Sequence, residues 1–534
     1  MSNNKDSNVQ KNKLIRSRTK HKHLEEHYDD HLNEILPGNL HRGDILSSNR
    51  MLAYSDAIMA TCATFLVLPL RNLEGLKENQ PLFDYVQSIH KEFIVFIIGF
   101  LIVLTIWENI NIRGLVIKRV DDFMLTLVIL EMLVTTILPY SLALQEHYPH
   151  EKVAIVITCS VLGVLQVFDI VIILYATHSP KMLHVDLKDW VKSDLRELTL
   201  VMIFRPLISL FILTLAGVLC LVHYSASWVF IAIFTFMPTI GKVYWFIRRR
   251  TNKFEETEKD SFLFHFSKGN VSKERVEIMS DAVFAIVACI LILDITVEEF
   301  PNKLNVNKNT LNFALNHMKL GFMTFLGTFS FVSALWYINH TVLHLLKHVN
   351  SIIIYVQKLF LVLCCLCPIA ANMLSHFASK GDHDSVIAIR FSALVVFLSS
   401  IANFSILLYG LLSKNKYMHK WASLEYVQIN TRQHLYTLVK SLNMPFWSLI
   451  CILGTLGLSS VVPYVLYSTI IAALCTFFVS KFVLMNHVGK TTASYTIHKT
   501  SSSEMMLPRD STTSEDVLFE TNKEDAYPAG TEQP

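Results

Sequence analysis

The sequence predicts an all-α membrane protein of two tandem parallel repeats, each with six transmembrane helices. The chain of 534 residues is 52% hydrophobic and only 17% charged, with a mean hydropathy of +0.40, which is too apolar for a soluble protein of this length. About twelve apolar runs have the roughly 20 residues that a bilayer core requires. A charged motif also recurs 225 residues apart, once in each half.

The repeated motif places an Arg and a Ser-Asp pair at the start of a membrane helix in each half. Its members are Arg50, Ser55 and Asp56 in the first half, and Arg275, Ser280 and Asp281 in the second. A charged side chain costs roughly 2.5–3.5 kcal/mol near the middle of a spanning helix and less near its end. A carboxylate carried there twice is therefore a candidate functional residue.

Six spans per half is the simplest division of the apolar runs. The predicted spans are 51–70, 93–113, 123–144, 152–176, 198–221, 226–247, 277–297, 320–345, 352–376, 386–413, 443–460 and 462–486. Trp107 and Trp336, and likewise Pro139 and Pro368, keep a separation of 229 residues. An even number of spans per half makes the repeats parallel, a geometry that suits a central pore as well as a two-lobed carrier.

Charge asymmetry and composition set the orientation and the domain boundaries. Segment 1–50 holds nine Lys and Arg residues and segment 248–276 holds eight, so the positive-inside rule puts both termini in the cytosol. We expect a disordered tail at 1–45, a first repeat at 46–248, a cytosolic linker at 249–272, a second repeat at 273–487 and a disordered tail at 488–534.

Metal and cofactor chemistry has little support. All nine cysteines fall in predicted spans, where cysteine behaves as a small hydrophobe, and no ligand set for zinc is readable. His340, His344 and His348 recur every four residues and could hold a metal or relay protons, but the first half does not repeat them. We therefore expect no metal, no cofactor and no enzymatic site.

Two sets of side chains are candidate functional groups. Asp56 and Asp281 need hydrogen-bond donors on neighbouring helices, and the repeat-equivalent candidates are Trp107, Asn111, Trp336 and His340. The first helix of each half also carries a stripe at heptad spacing: Thr61, Thr64 and Leu68, then Ile286, Cys289 and Leu293. Pore lining and close helix packing explain these stripes equally well. Glu108, Glu131 and Lys358 receive no role beyond interhelical pairing.

The Arg-X-X-X-aromatic-Ser-Asp signature, used twice in twelve spans, resembles the endosomal and lysosomal potassium channels known as transmembrane protein 175. The similarity extends over about 48–486 and includes segment 272–277, Ala285 to Ala288 and Leu291 to Asp294. It implies a homodimer whose first and seventh helices surround one pore, conducting potassium ions and protons across endosomal and lysosomal membranes. By the same resemblance, a hydrophobic constriction maps onto Thr61 with Ile286, and a hydroxyl ring onto Thr64 with Cys289.

Several positions depart from the family pattern. Tyr54 and Met279 replace a phenylalanine, Thr61 stands where an aliphatic residue is expected, and Cys289 stands where a threonine is expected. Since a thiol is a poor ligand for a hard cation, the sequence does not decide selectivity over sodium.

Three function classes remain at this point: a passive cation channel, which fits best, a proton-coupled secondary transporter, and an intramembrane enzyme as a remote third. The expected partners are potassium ions, protons, the lipid bilayer and a second copy of the chain. A cytosolic regulatory kinase is a further candidate, and no nucleic acid is expected.

Overall fold

The computed structural model describes residues 46–71, 81–88, 90–148, 150–179, 182–184, 187, 191–251, 271–293, 296, 318–377, 382–413, 417–419, 422–424, 431–457 and 459–485. The predicted disordered tails lie outside these residues, as does most of the predicted linker. Within them the all-α prediction is confirmed, since eleven helical segments are long and apolar enough to cross a membrane.

The described residues of the first repeat form eight helices. They are α1 (Ser48–Phe65), α2 (Leu68–Arg71), α3 (Leu82–Ser88), α4 (His90–Val116), α5 (Asp122–His147), α6 (Lys152–His178), α7 (Lys192–Cys220) and α8 (Tyr224–Thr251). Helix α8 corresponds to the sixth predicted span, and among its described side chains the apolar stretch is Ser225–Met237. The twelve-span layout therefore stays a prediction.

In the part of the second repeat that the structure describes there are seven helices. They are α9 (Lys273–Leu293), α10 (Lys319–Leu345), α11 (Ser351–Cys364), α12 (Cys367–Phe377), α13 (His383–Leu412), α14 (Thr431–Gly454) and α15 (Val462–Met485). Helix α9 is equivalent to α1, α10 to α4, and α11 with α12 to α5.

The third span of each repeat contains a proline, and the two repeats accommodate it differently. Pro368 has no N–H to bond the carbonyl four residues earlier, and the chain turns at Cys365 and Leu366 before α12 begins. Pro139 lies inside the unbroken α5. The Thr135 carbonyl, which loses its N–H partner to Pro139, accepts a hydrogen bond from the Cys62 thiol on α1 at 3.5 Å.

Short extended segments tie the loops together at the end of the bundle where α1 begins. Strand β1 (Leu46–Ser47) pairs antiparallel with β2 (Arg119–Val120), which follows α4. Single bridges join Ile117 to Leu183 and Leu346 to Met418, so the loop contact that follows α4 recurs after α10. The repeats therefore share these connections as well as their helices.

The helix after each of these bridges begins with a similar polar cap. Asp121 accepts a hydrogen bond from the Met124 N–H at 2.8 Å and from the Tyr175 hydroxyl at 2.6 Å. Asn350, 229 residues later, accepts from the Ser351 N–H and donates to the Tyr409 hydroxyl at 3.2 Å. Each cap satisfies a free N–H at the helix start and anchors it to a tyrosine of the following helix or its C-terminal loop.

The two repeats meet along their first helices. Helix α1 packs against α9, and α4 packs against α11, while α2 contacts α12 and α3 contacts α13. Within the first repeat, α1 lies close against α4 at Gly114, where an added Cβ would come within 2.7 Å of the Leu52 side chain. This close approach brings the Ser-Asp motif of α1 against the polar side chains of α4.

Candidate functional site

Asp56 lies at the centre of a buried polar network, with 0% of its surface exposed. Its Oδ1 accepts a hydrogen bond from Trp107 Nε1 at 2.8 Å and from Asn111 Nδ2 at 3.3 Å, both on α4. Its Oδ2 accepts from Arg275 Nη1 at 3.1 Å. Three donors thus replace the water that this carboxylate would lose on burial, and the charge is balanced by one guanidinium.

The arginine that pairs with Asp56 comes from the other repeat. Arg275 lies at the start of α9 and also donates from Nη2 to the Asn49 carbonyl at 3.3 Å. Arg50, which precedes Asp56 in its own motif, is exposed. The motif therefore forms an ion pair across the repeat boundary: the arginine of the second repeat pairs with the aspartate of the first repeat.

Asp281 has the same tryptophan partner but a different surrounding. Trp336 Nε1 donates to its Oδ1 at 2.8 Å, and His340 stacks on Trp336 with ring centroids 5.7 Å apart. Asp281 is exposed, and among the described residues it has no cationic partner. Asp281 and Arg50 are therefore the two motif charges left uncovered in a single chain.

The two motif serines differ in what they hold. Ser55 donates to the Met51 carbonyl one turn earlier at 3.1 Å. Ser280 donates to the Val276 carbonyl at 2.7 Å and also accepts from Gln357 Nε2 at 2.9 Å. Sequence reasoning gave Gln357 no role, although an amide inside an apolar run was a signal that it bonds to something.

A buried amide cluster extends that contact through the second repeat. Asn339 Nδ2 donates to Gln357 Oε1 and to Asn403 Oδ1, each at 3.1 Å, linking α10, α11 and α13. Gln357 returns a bond to Asn339 Oδ1 at 3.2 Å. The cluster holds α9 through Ser280, so it plays the part in the second repeat that Arg275 and Asn111 play around Asp56.

The heptad stripes of α1 and α9 occupy unlike surroundings. Thr61 and Ile286 are both half-buried, as are Leu68 and Leu293. Thr64 is fully buried and donates to the Ala60 carbonyl at 2.9 Å, whereas its equivalent Cys289 is exposed. The four positions at Thr61, Leu68 and their equivalents are thus reachable from outside the chain in both repeats, and Thr64 is not.

Thr61 bonds to its own helix. Its hydroxyl donates to the Ala57 carbonyl at 2.9 Å, a bond that membrane threonines often make. Donation uses the hydroxyl proton only, so the oxygen keeps lone pairs that can face a cation or a water molecule. The bond therefore orients the side chain without removing its capacity to accept.

The uncovered faces of α1 and α9 are rotated relative to each other. With about 100° per residue, the face of α1 that carries Tyr54 and Phe65 and the face of α9 that carries Ala285 and Cys289 differ by about 110° at equivalent positions. They overlap along one strip that is at least partly uncovered in both helices. We call this strip the shared line; it consists of Ala57, Thr61, Leu68, Ala282, Ile286 and Leu293.

Charged side chains that sequence reasoning left without partners are paired inside the bundle. Lys358 on α11 donates to Glu108 on α4 at 2.7 Å, joining the two repeats next to Trp107. Arg113 donates to Glu131 at 2.7 Å and also pairs with Asp169, which links α4, α5 and α6. Asp169 was missed because an isolated carboxylate in an apolar run gives no indication of its partner.

Arg205 completes this group of buried charges. It lies on α7 within electrostatic reach of Glu108 and Asp169, and its Nη2 has no hydrogen-bond partner among the described residues. The six charges, which are Glu108, Arg113, Glu131, Asp169, Arg205 and Lys358, sum to zero. Pairing within the group lowers the cost of holding ions at membrane depth.

The histidine stripe of α10 stacks rather than chelates. His344 lies 6.5 Å from His340 between ring centroids with nearly parallel rings, continuing the stack on Trp336. No group of three potential metal ligands occurs in the described part of the chain. Beside the stripe, outside the spans, burial and the positive charges of Lys273, His344, Lys347 and His348 lower the pKa of His419.

Comparison with known proteins finds the same arrangement of motifs in one family. A family model described as "Endosomal/lysosomal potassium channel TMEM175" matches residues 50–139 and again residues 275–368, which are the start of each repeat. The chain is therefore similar to the TMEM175 family at the start of both repeats. Both matched segments begin at the motif arginine and end at the proline of the third span, so they contain the network around Asp56 and Asp281 apart from Asn49 and Asn403.

Relatives of full length bear the same family name. The chain is 29% identical over 427 residues to the "Endosomal/lysosomal proton channel TMEM175" of Rattus norvegicus, covering 77% of this chain and 82% of that protein. It is 27% identical to the proteins of that name from Danio rerio and Homo sapiens, over 442 and 445 residues, covering 78% and 81% of this chain and 83% and 85% of those proteins.

A solved structure is also similar. It is the crystal structure of a lysosomal potassium-selective channel TMEM175 homolog from Chamaesiphon minutus, with a TM-score of 0.31 and 19% identity, covering 39% of this chain and 97% of that one. The family that this chain resembles is one of membrane channels and not of enzymes.

Proposed function

We propose that this chain is a potassium-permeable and proton-permeable cation channel of endosomal and lysosomal membranes. It works as a homodimer with both termini in the cytosol, and α1 and α9 of two copies surround one side-chain-lined pore. The family model is described as a potassium channel and the vertebrate relatives are named proton channels, which supports both permeant ions and this location. The observation that carries the proposal is the shared line of α1 and α9.

The rotation between the uncovered faces of α1 and α9 supports a ring of four helices. In such a ring every helix has two neighbours and one side toward the axis. Within one chain, α1 has α9 on one flank only, and α9 has α1 on one flank only. A second copy supplies the two missing neighbours, which accounts for the offset of about 110° between the uncovered faces and makes the shared line the strip that faces the axis.

The uncovered charges support the same assembly. Asp56 has Arg275 as its cation, but Asp281 lacks one among the described residues, and Arg50 is exposed. Arg50 of a second copy would occupy the place at Asp281 that Arg275 takes at Asp56. All four motif carboxylates of a homodimer would then be paired in the same way.

The shared line suits conduction without a carbonyl filter. The shared line is apolar at Leu68 and Leu293. At the proposed constriction it is partly polar, because two Thr61 hydroxyl groups alternate with two Ile286 side chains around the pore of the dimer. Four aliphatic groups would resist wetting, whereas two hydroxyl oxygens offer hydrogen bonds to water. Selectivity for potassium over sodium rests on pore width and these side chains.

The competing function is proton-coupled secondary transport. Carriers with internal repeats bind substrate at discontinuous helices in matching positions of the two halves. Among the described helices, the break at Cys365 and Leu366 has no counterpart in α5, which is continuous through Pro139. The mismatch favours the channel.

The proposal can be tested with two native cysteines. Among the described residues only Cys289 and Cys475 are exposed, the first on α9 beside the shared line and the second on α15. A cationic methanethiosulfonate reagent should reduce the current of reconstituted dimers. The Cys289→Ser variant should abolish the block, and Cys475→Ser should leave it intact.

The same liposomes distinguish a channel from a carrier. Unitary currents that reverse according to the imposed potassium gradient, without a proton gradient, are expected for the channel. Flux that saturates and stops when the proton gradient is removed would establish the carrier instead. If the reagent still blocks the Cys289→Ser variant, the pore does not run along α9 at Cys289.

A further inference from the structure

The second repeat contains an apolar cavity with a volume of about 150 Å³ among five helices. Helix α10 forms one wall with Gly327 and Phe331, and α15 forms the opposite wall. The buried floor includes Cys367 of α12, Met444 of α14 and Val395 of α13. This cavity is separate from the shared line and from the network around Asp56.

The cavity opens toward the bilayer. Helices α10 and α15 meet at Tyr337 and Phe477, whose ring centroids lie 5.7 Å apart, and the cavity is lined by residues nearer the N-terminal ends of both helices. Met323 and Tyr467 line the cavity there and are 69% and 53% exposed. Both lie inside spans that cross the membrane, so the opening is continuous with the interface between protein and lipid.

Water is a poor occupant because the lining is mainly apolar and three of its polar side chains already donate their protons within the protein. Ser392 donates to the carbonyls of Ala388 and Ala370, Ser448 donates to Met444, and Trp447 Nε1 donates to Thr476. None of the buried polar atoms without a partner belongs to a lining residue of the described cavity. A buried water needs two to four polar partners, and apolar cavities of this size stay dry and admit hydrocarbons.

We infer that this cavity binds the end of one acyl chain of a membrane phospholipid. A volume of about 150 Å³ holds a benzene-sized group, which is enough for the terminal part of a chain and too small for a sterol ring system. An empty cavity would forfeit the dispersion contacts of its lining atoms. A neighbouring lipid restores those contacts by inserting one tail through the opening between α10 and α15, while its headgroup stays at the membrane surface.

The bound chain touches a helix that also contacts the first helix of each repeat segment. Helix α12 contributes Cys367, Ala370 and Ala371 to the floor, and it packs against α9 and against α2, which continues α1. The acyl chain therefore supports α12 from the side opposite these helices. Binding itself does not depend on what the pore conducts.

Photolabelling can locate the chain. The protein is reconstituted in nanodiscs of phosphatidylcholine doped with a phosphatidylcholine that carries a diazirine at the end of one acyl chain, then irradiated, digested and mapped by mass spectrometry. Adducts on the buried floor, at Met444 or Cys367, are expected. Adducts confined to Met323, Tyr467 and other bilayer-facing residues would overturn the inference, as would floor labelling obtained only with a photoreactive sterol.

A pair of glycine variants supplies the control. A Cβ at Gly327 meets nothing within 4 Å, so Gly327→Phe directs a ring into the cavity without a backbone clash. Because the ring and the chain cannot share this volume without overpacking, floor labelling should fall about tenfold. Gly163→Phe, at a half-buried glycine of α6 whose nearest contact is Leu210 at 3.6 Å, should leave floor labelling unchanged.

Equal floor labelling in Gly327→Phe and the wild type would overturn the site. If Gly327→Phe does not reach the membrane, Gly327→Leu provides a smaller plug with the same expectation. The wild-type map stands without either variant, since it asks only whether the buried floor or the outer surface is labelled.

Discussion

Breaking the ion pair between Lys358 and Glu108 should destabilise the packing of the two repeats against each other. The two side chains are 5% and 0% exposed and lie 2.7 Å apart. With an effective dielectric constant of about 20, their attraction is about 6 kcal/mol, and desolvation of the two ions offsets most of it. Removing one partner leaves the other buried and unbalanced, so Lys358→Met should cost about 3–5 kcal/mol of unfolding free energy.

The neighbouring Arg205 makes the two single variants unequal. Glu108 lies within electrostatic reach of Arg205 as well as Lys358, so Glu108→Gln leaves two cations without their common carboxylate. It should therefore destabilise more than Lys358→Met. The loss of unfolding free energy in the double variant should be smaller than the sum of the two single losses by about 3 kcal/mol. The reason is that the second substitution removes the buried charge that the first one left without a partner.

A double-mutant cycle measures this coupling through SDS titration of the protein in mixed micelles, with helicity as the readout. The control is Lys273→Met. Lys273 pairs with Glu277 at 3.5 Å, but both side chains are partly exposed and lie one turn apart on α9, so the loss should be at most about 0.5 kcal/mol. Single effects that add in the double variant within about 0.5 kcal/mol would refute the reasoning, as would a milder Glu108→Gln.

Three further predictions concern the first helix of each repeat. Asp56→Asn, which breaks a buried pair, should cost about 3 kcal/mol and reduce assembly while leaving the potassium-to-sodium permeability ratio of the surviving channels unchanged; a large shift in reversal potential would contradict this structural role. Thr61→Ile should lower the resting current and Ile286→Thr should raise it at equal membrane abundance, and equal currents in all three proteins would sink the constriction assignment. Arg50→Asp and Asp281→Arg should each raise the dimer dissociation constant about fivefold, and their combination should restore it; native mass spectrometry that finds no rescue would exclude this pair.

The two-repeat fold could be predicted from the sequence because membrane helices are recognisable by the length and apolar composition of their segments. The motif also identified Asp56 and its donors on α4, since an ionisable group in a span needs partners on a neighbouring helix. The sequence could not show which aspartate each motif arginine pairs with. Arg50 and Arg275 hold equivalent places in sequence, and only the packing of α1 against α9 decides that Arg275 turns to the Asp of the other repeat.

Local sequence could not separate equivalents that occupy unlike surroundings. Thr64 and Cys289 hold matching positions, but Thr64 is sealed inside the chain and Cys289 is open. Likewise Pro139 and Pro368 are matched in register, and only Pro368 stands beyond a break in its helix. Both differences arise from which neighbours each helix meets, which no periodicity within one helix records.

The cross-repeat ion pair has a consequence for ancestry. A bond from the arginine of one copy to the carboxylate of the next is a head-to-tail contact, and such contacts close only as rings. In the proposed ring of four first helices, a half-length ancestor with one motif would have contributed one helix per subunit and assembled as four subunits. Fusion of two halves makes some of those contacts intramolecular, where the linker sets a high local concentration. Fusion also lets the two halves diverge, so the proposed ring can combine Thr61 with Ile286 at one level and Thr64 with Cys289 at another.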